Sequence, residues 1–165
     1  MKPHISPARV REVFTLDKKR WVLIWRVRLS NRAPCVGSDA GHLDNCGYIR
    51  IGVDGRLYLA HRLIWMFVTG EVPPEFLDHK NGKRTDNRFK NLRVVTKSGN
   101  QQNMRTARRD SSTGILGVMP GRMGKWRAEI RVGGKSKYLG EFKSKKEARA
   151  AYVAAKREFH PTCTI

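Results

Sequence analysis

Residues 78–103, with the sequence DHKNGKRTDNRFKNLRVVTKSGNQQN, concentrate side chains that can do chemistry. They include one histidine, two acidic residues and five asparagines. Asn and Asp side chains favour turns, their oxygens bind hard metal ions, and histidine exchanges a proton near neutral pH. The composition therefore allows a turn-rich loop, a metal site or an enzyme active site.

The spacing sets four of these residues apart. Asp78 and His79 are adjacent, Asn91 follows twelve residues after the histidine, and Asn100 lies nine residues further on. The run LRVV predicts a strand, and a threonine or a serine just after it can cap a helix. The predicted order is strand, loop, strand, helix. Asp78 and His79 close the first strand, Asn91 enters the second, and Asn100 lies in the first turns of the helix.

This order and spacing resemble the ββα-metal motif of HNH endonucleases, in the His-Asn-Asn variety of phage homing endonucleases. LDHKNGKRTDNRFKNLRVVTKSGNQQN and the upstream YLAHRLIW carry the resemblance, which covers about residues 48–104. It implies that His79 is the general base and that Asp78 and Asn100 bind the metal. It also implies that Asn91 holds the loop and orients the histidine.

The chemistry of phosphodiester hydrolysis agrees with these roles. The reaction needs an activated water, whose proton a neutral histidine can take near pH 7. It also needs charge neutralisation at the scissile phosphate and the leaving oxygen, which a divalent ion supplies. Oxygen ligands favour Mg²⁺ or Mn²⁺ over Zn²⁺. One carboxylate and one amide make a weak site, so we expect DNA phosphate oxygens and waters to complete it.

Other interpretations of the same stretch stay open. A degenerate copy of the motif can bind DNA without cutting it, and the polar loop can be a solvated turn. Asn81, Asn87 and Asn103 are expected to be turn or surface residues. His61, which precedes a predicted helix, is expected to be a cap or a core hydrogen-bonding residue rather than a ligand.

The net charge of the chain indicates its partner. The formal charge is +20 at pH 7, and the excess is spread along the whole chain. Such a field attracts a polyanion by counterion release, so double-stranded DNA is the expected partner. An anionic membrane is the main rival. However, no apolar run approaches the roughly 18 residues that span a bilayer, and the start shows no signal-peptide pattern.

The cysteines indicate the compartment. Cys35, Cys46 and Cys163 are widely spaced and form no C-x-x-C pair. This pattern argues against a structural zinc site and against a secreted disulfide framework. We therefore expect reduced thiols in a cytoplasmic protein of a bacterium or a phage-infected cell. The protein is expected to be a monomer or weak dimer without a small-molecule cofactor.

Basic residues near the four site residues are expected to contact DNA phosphates, although some are ordinary surface charges. They surround the loop and continue along the basic end of the predicted helix, which can follow the DNA backbone. These residues are Lys83, Arg84, Arg88, Lys90, Arg93, Arg105, Arg108 and Arg109.

Hydrophobic periodicity predicts the elements around the motif. KKRWVLIWRVRLS predicts a strand with one half-buried face, and Asp54-Gly55 between two alternating runs predicts a hairpin with a type I′ turn. HRLIWMFVTG predicts a helix that ends near Gly70. The polar run RRDSSTG predicts a domain boundary near residues 110–113. The predicted apolar face of the helix comprises Leu63, Ile64, Phe67 and Val68.

The segment after this boundary predicts three strands and one helix. WRAEIRV, Gly133-Gly134 and KYLGEF predict strand, turn and strand, and a short strand precedes them near residues 116–119. Ser144 and Glu147 form a capping box for the helix KKEARAAYVAAKREF. The helix has a narrow apolar stripe that comprises Ala148, Ala151, Tyr152, Ala155 and Phe159.

Residues 113–161 resemble the AP2/ERF DNA-binding domain. The pieces GKWRAEIR, YLGEF and EARAAY carry the resemblance. It implies a three-stranded antiparallel sheet that enters the major groove of DNA, backed by one helix. It also implies that Glu129, Arg131 and Tyr138 face the DNA.

The first strand departs from the plant pattern of this family. Leu116, Met119 and Gly121 stand where arginines are usual, and Arg122 partly replaces them. We therefore do not transfer the plant target sequence to this chain. Trp126 is expected in the core of the sheet. Further candidates for phosphate contacts, which can equally be plain surface charges, are Arg127, Lys135 and Lys137.

We predict an α+β protein with two domains. Residues 1–110 form an HNH nuclease domain with a β-rich extension, and residues 111–165 form an AP2-like domain of three antiparallel strands and one helix. The predicted function is a metal-dependent DNA endonuclease of homing type that uses Mg²⁺ or Mn²⁺. The alternative is a non-enzymatic, regulatory or architectural DNA-binding protein with a degenerate nuclease core. Nicking and double-strand cleavage both stay open.

Overall fold

The computed structural model describes residues 5–30 and 34–163, which form two compact units, Met1–Val94 and Val95–Ile165. Both units combine helices with antiparallel strands, so the predicted α+β class is confirmed. The units divide at Val94, earlier than the domain boundary predicted near residue 110, and Asn100 therefore belongs to the second unit. Which residues act together in function is a separate question, and the domain boundary stays a prediction.

In residues 5–30 and 34–94, the first unit holds two helices and three small antiparallel sheets, which pair β1 with β2, β3 with β4 and β5, and β6 with β7. A single turn of 3₁₀ helix, Phe89–Asn91, leads into β7. The elements are α1 (Pro7–Val13), β1 (Phe14–Asp17), β2 (Val22–Trp25), β3 (His42–Leu43), β4 (Ile49–Val53), β5 (Arg56–Leu59), α2 (Ala60–Thr69), β6 (Leu77–His79) and β7 (Leu92–Val94).

Local sequence signals account for the boundaries of the hairpin and of α2. Asp54 and Gly55 have φ of 50° and 76°, as a type I′ turn between β4 and β5 requires. Gly70 ends α2 in the left-handed region, with φ of 76°. Both predictions are confirmed.

The core of the first unit differs from the predicted helix face. Leu63 and Ile64 are fully buried, but Met66 joins them, while Phe67 is only partly buried and Val68 is exposed. The reason is α1, which the sequence analysis missed and which packs against α2 together with β4 and β5. A helix covered from two sides buries a wider arc than one apolar stripe.

The second unit holds a short helix, a three-stranded antiparallel sheet in the order β10-β9-β8, and a long helix. The long helix packs on one face of the sheet, as predicted. Among the described residues, no helix has the length and apolar character needed to cross a membrane. The elements are α3 (Lys97–Gln102), β8 (Val118–Pro120), β9 (Trp126–Val132), β10 (Lys135–Phe142) and α4 (Lys145–Phe159).

The capping signal and the apolar stripe of α4 are both confirmed. The Ser144 hydroxyl accepts from the Glu147 backbone N–H at 3.2 Å, and the Glu147 carboxylate accepts from the Lys143 N–H at 3.2 Å. These contacts satisfy N–H groups that the first turn of a helix leaves open. The stripe is small, which lets the helix lie close to the sheet. Its buried members are Ala148, Tyr152 and Ala155.

Close packing at Gly117 yields a prediction about stability. Gly117 has φ of +72°, and a Cβ at this position would overlap the ring of Tyr152. We predict that Gly117→Ala lowers the free energy of unfolding by about 3 kcal/mol, from overpacking and left-handed strain together. Urea unfolding followed by circular dichroism measures this loss.

Gly114→Ala is the matched control. Gly114 has φ of +67°, but open space surrounds the position of the added methyl group. The control should therefore lose only about 1 kcal/mol, from backbone strain alone. Equal losses in the two variants would contradict the packing explanation.

Candidate functional site

The ribbon of β6 and β7 carries the candidate catalytic residues of the first unit. Asp78 lies opposite Arg93 and His79 lies opposite Leu92 in the antiparallel register. The Lys80 N–H donates to the Asn91 carbonyl at 2.8 Å, which closes the ribbon at the loop. The predicted order of strand, loop, strand and helix is therefore confirmed, with one addition, the 3₁₀ turn before β7.

An arginine of α2 fixes the chain that enters β6. The Arg62 guanidinium donates to the carbonyls of Pro73, Pro74 and Glu75 at 3.0 to 3.2 Å. These carbonyls lie outside any helix or strand, so they lack the regular backbone partners of those elements, and a side-chain donor satisfies them. Arg62 thereby sets the position at which the strand with Asp78 and His79 begins.

His79 is buried among polar and aromatic groups. Its side chain is 4% exposed, and its Nε2 lies 3.1 Å from Asn87 Oδ1. The ring of His61 meets the His79 ring edge to face at 4.8 Å, and the Tyr48 ring lies 6.2 Å away. Together, these groups restrict the orientation of the His79 imidazole.

Burial lowers the pKa of His79, whereas the hydrogen bond with Asn87 and the nearby Asp78 carboxylate raise it. Burial also lowers the pKa of His61, to about 3, and the neighbouring His79 adds to this effect. Both imidazoles are therefore uncharged at pH 7. A neutral imidazole that keeps a lone pair can accept a proton, so His79 meets the chemical requirement for a general base.

Asn91 holds the loop that follows β6. Its Oδ1 accepts from the Asn81 N–H at 3.1 Å, and its Nδ2 donates to Asn81 Oδ1 at 3.0 Å and to the Asp86 carbonyl at 2.7 Å. The Asn81 side-chain amide in turn donates to the Asp86 carboxylate at 2.6 Å. This partly buried network, in which Asn91 is the buried member, ties both ends of the loop to the start of β7.

The prediction for the other asparagines was wrong in two places. Asn87 is buried and contacts His79, and Asn103 is buried at the C-terminal end of α3. Asn81 does form a turn, because its Oδ1 accepts from the Lys83 N–H, but it also joins the network described above. The residue type is the same in a turn and in a functional site, so only the folded structure shows which role each asparagine has.

His61 is a core residue, as expected, but not a helix cap. It occupies the second position of α2, and its contacts are the rings of Tyr48 and His79. Its place beside His79 was not foreseen. The run HRLIW was the sequence feature that pointed to this position. In the structure, His61 contacts the His79 ring of β6, and Arg62 binds the chain just before β6.

Asp78 and Asn100 are the predicted metal ligands. Asp78 is partly buried and its Oδ2 accepts from Arg93 at 3.0 Å, while Asn100 is exposed on α3. No cluster of three His, Cys, Asp or Glu residues suited to a metal ion occurs in the described parts of the chain. Asp78 offers one carboxylate and Asn100 one amide oxygen, and both are donor types that suit a hard divalent ion.

Two of the loop arginines are bound to the protein itself. Arg84 donates to the Cys46 carbonyl at 2.6 Å and lies over the Tyr48 ring, 4.9 Å from its centroid. Arg88 pairs with the Asp86 carboxylate at 2.5 Å. These contacts give both arginines structural roles beside the predicted phosphate contacts.

The remaining basic candidates differ in exposure. Lys83 and Lys90 are exposed at the loop, and Arg108 and Arg109 are exposed in the second unit, whereas Arg105 is partly buried. The prediction that Arg105, Arg108 and Arg109 form the basic end of the helix was wrong. Helix α3 ends at Gln102, and the three arginines lie in irregular chain beyond it.

One face of the C-terminal sheet collects most of the residues that the AP2/ERF resemblance assigned to DNA. Burial alternates along β9, so Arg127, Glu129 and Arg131 lie on the face away from α4. Tyr138 of β10 lies directly opposite Glu129, is 56% exposed, and has the Arg127 guanidinium 5.3 Å from its ring centroid. Arg127 also pairs with Glu129 at 2.6 Å. Arg122 is exposed in the turn between β8 and β9.

Lys135 and Lys137 do not join this face. They lie opposite Val132 and Ile130, whose side chains point toward α4. The Lys137 ammonium accordingly lies 3.8 Å from the ring centroid of Phe159 on that helix. The two lysines were predicted only as candidate phosphate contacts, and the register places them on the helix side of the sheet. Trp126 packs against the core, as expected.

Helix α3 is attached to α4 and its C-terminal extension. The Thr162 hydroxyl donates to the Gly99 carbonyl at 2.9 Å, and the Lys156 ammonium donates to the Met104 carbonyl just beyond α3. Lys156 is fully buried, and this burial lowers its pKa. These contacts, which the sequence analysis missed, mean that the helix with Asn100 is supported by the C-terminal sheet-and-helix module.

Comparison with known families agrees with the geometry of the first unit and of α3. A family model described as HNH endonuclease matches residues 58–102, a range that includes Asp78, His79, Asn91 and Asn100. No curated protein and no solved structure gives a significant match. Residues 58–102 are therefore identified as an HNH endonuclease domain, a type of domain found in phosphodiester hydrolases.

Proposed function

We propose that this protein is a metal-dependent DNA endonuclease of homing type. In this proposal His79 is the general base, Asp78 and Asn100 hold Mg²⁺ or Mn²⁺, and Asn91 maintains the loop. The single observation that carries the proposal is the buried His79 beside Asp78 at the end of β6, inside the matched HNH region.

The protein's own residues perform the proton transfer and the positioning. His79 takes a proton from the attacking water, and its lowered pKa keeps it ready to do so at pH 7. Asn91 keeps the loop closed through Asn81 and Asp86. When bound by Asp78 and Asn100, a divalent ion supplies charge neutralisation at the phosphate and the leaving oxygen. The high positive charge of the chain draws DNA to the site.

The C-terminal sheet is proposed to choose the DNA site in the manner of an AP2-like domain. Its face away from α4 exposes Arg127, Arg131 and Tyr138, which offer guanidinium donors and an aromatic ring. Guanidinium groups read guanine edges in the major groove, and a sheet is narrow enough to enter that groove. Glu129 can accept from cytosine amino groups on the same face.

One observation favours a second candidate function, a DNA-binding protein without cleavage activity. Arg93 and Asp78 form an ion pair, 20% and 12% exposed, in which the guanidinium occupies an oxygen that a metal ion would need. If this pair persists when DNA binds, the domain keeps the fold without the metal. The cleavage assay below separates the two candidates.

We predict that His79→Ala cuts DNA at least ~100-fold more slowly than wild type, the usual scale for loss of a general base. Its affinity for DNA should stay the same, because the buried His79 has little surface to offer a phosphate. Single-turnover cleavage of the source's genomic DNA with Mg²⁺ measures the rate, and a gel-shift titration measures the affinity.

His42→Ala is the matched control for this assay. His42 is an exposed histidine on β3, so its loss should leave the cleavage rate unchanged. Equal rates for wild type and His79→Ala would remove His79 as the base. Absence of cleavage by wild type on all DNA tried would favour the second candidate function.

A second prediction concerns the choice of site. Arg131→Ala and Tyr138→Ala should each weaken binding to a preferred site by roughly 1–3 kcal/mol, the usual range for a contact to a base edge. The cleavage rate at saturating DNA should be unchanged. Point variants are more informative than deletion of residues 111–165, which would also remove the contacts of Lys156 and Thr162 that support α3.

Lys146→Ala is the control for these variants, because Lys146 is exposed in the first turn of α4. It removes one positive charge without touching the proposed reading face. If Lys146→Ala relaxes site preference as much as Arg131→Ala does, the sheet face does not read the sequence.

A further inference from the structure

Asn87 is the residue that hydrogen-bonds directly to the imidazole of the proposed base. It lies eight residues after His79, is 7% exposed, and has its Oδ1 3.1 Å from His79 Nε2. Nothing in the resemblance or in the family match assigns it a role. A buried amide so close to a proposed base calls for a chemical explanation.

We propose that Asn87 is a positioning residue that fixes the tautomer of His79. An amide oxygen can only accept a hydrogen bond, so His79 Nε2 must carry the proton in this contact. The lone pair of the neutral imidazole then resides on Nδ1. Asn87 thereby commits His79 to act as a base through Nδ1. This inference rests on the proposed role of His79.

The loop network explains how Asn87 stays in place. Asn91 donates to the Asp86 carbonyl at 2.7 Å, and the Arg88 guanidinium pairs with the Asp86 carboxylate. The Asn87 N–H donates to the Thr85 carbonyl at 3.1 Å. Asn87 therefore lies between Asp86, which Asn91 holds, and Arg88, which pairs with Asp86. The orienting effect that the resemblance gave to Asn91 reaches His79 through Asn87.

Packing holds the imidazole at a second point. The ring of His61 meets it at 4.8 Å with an interplanar angle of 70°. Such a contact restricts the tilt of the imidazole but does not distinguish its two nitrogens. The hydrogen bond with Asn87 does distinguish them, which separates the role of Asn87 from that of His61.

A spectroscopic experiment tests the tautomer without DNA or metal. Long-range proton–nitrogen correlation spectra of ¹⁵N-histidine-labelled protein report which ring nitrogen carries the proton, and His79→Gln assigns the signals. We expect His79 in wild type at pH 8 to carry its proton on Nε2. We expect Asn87→Ala to give a mixture of tautomers and Asn87→Asp, which keeps an oxygen acceptor, to retain the Nε2–H form. A wild-type proton on Nδ1 would overturn the proposal.

A kinetic experiment tests whether the contact matters for cleavage. Asn87→Ala should slow single-turnover cleavage at saturating DNA by roughly 10- to 100-fold, by analogy with loss of the outer hydrogen-bond partner of a metal-binding histidine. DNA affinity should not change. The exposed Asn45→Ala should cut at the wild-type rate, and thermal unfolding of every variant checks the fold.

A double variant separates positioning from general loss of structure. If Asn87 acts through His79, Asn87→Ala should cause no further loss in the His79→Ala background. An equal loss in both backgrounds, or an unchanged rate for Asn87→Ala alone, would overturn the proposal. If His79→Ala cuts as fast as wild type, the proposed function itself fails, and the spectra still decide whether Asn87 sets the tautomer.

Discussion

Burial of His79 is the constraint on which the candidate site depends. The imidazole loses most of its contact with water, so the protein itself has to hold the ring and supply its hydrogen-bond partner. The amide of Asn87 and the ring of His61 meet that requirement. The surrounding elements serve the same end, because Arg62 fixes the start of β6 and Asn91 fixes the loop that returns to β7.

Positive charge has two uses in this protein. Some arginines are committed to the fold: Arg88 pairs with Asp86, Arg93 pairs with Asp78, and Arg62 binds backbone carbonyls. Others are exposed and remain able to meet phosphates, which accounts for a large net charge that the protein's own carboxylates do not balance. The pair of Arg93 and Asp78 connects the two uses. In the proposed function, a phosphate that attracts Arg93 would also release the Asp78 carboxylate for a metal ion, so DNA binding and metal binding would be coupled through one guanidinium.

The sequence predicted the elements better than it predicted the contacts between them. The Asp54-Gly55 turn, the end of α2 at Gly70 and the capping box of α4 depend on residues close together in the chain, and these predictions are confirmed. The exposure of Val68 depends on elements distant in sequence, and the prediction for it was wrong. The burial of Asn87 against His79 depends on how one loop folds back, which the residue type does not reveal, and it was also predicted wrongly. Lys137 shows the same limit within one hairpin, because spacing alone does not reveal which face of a strand meets the helix.

Anomalous diffraction from Mn²⁺ in crystals of the protein with its DNA would reveal whether a metal ion occupies the proposed site. If Asp78 and Asn100 hold a divalent ion at the phosphate that His79 helps to hydrolyse, we expect one strong anomalous peak. The Asp78 carboxylate, the Asn100 amide oxygen and a phosphate oxygen should bind this ion, with Arg93 displaced from Asp78. A DNA-bound crystal in which Arg93 still pairs with Asp78 and no ion contacts either ligand would contradict the proposed metal site.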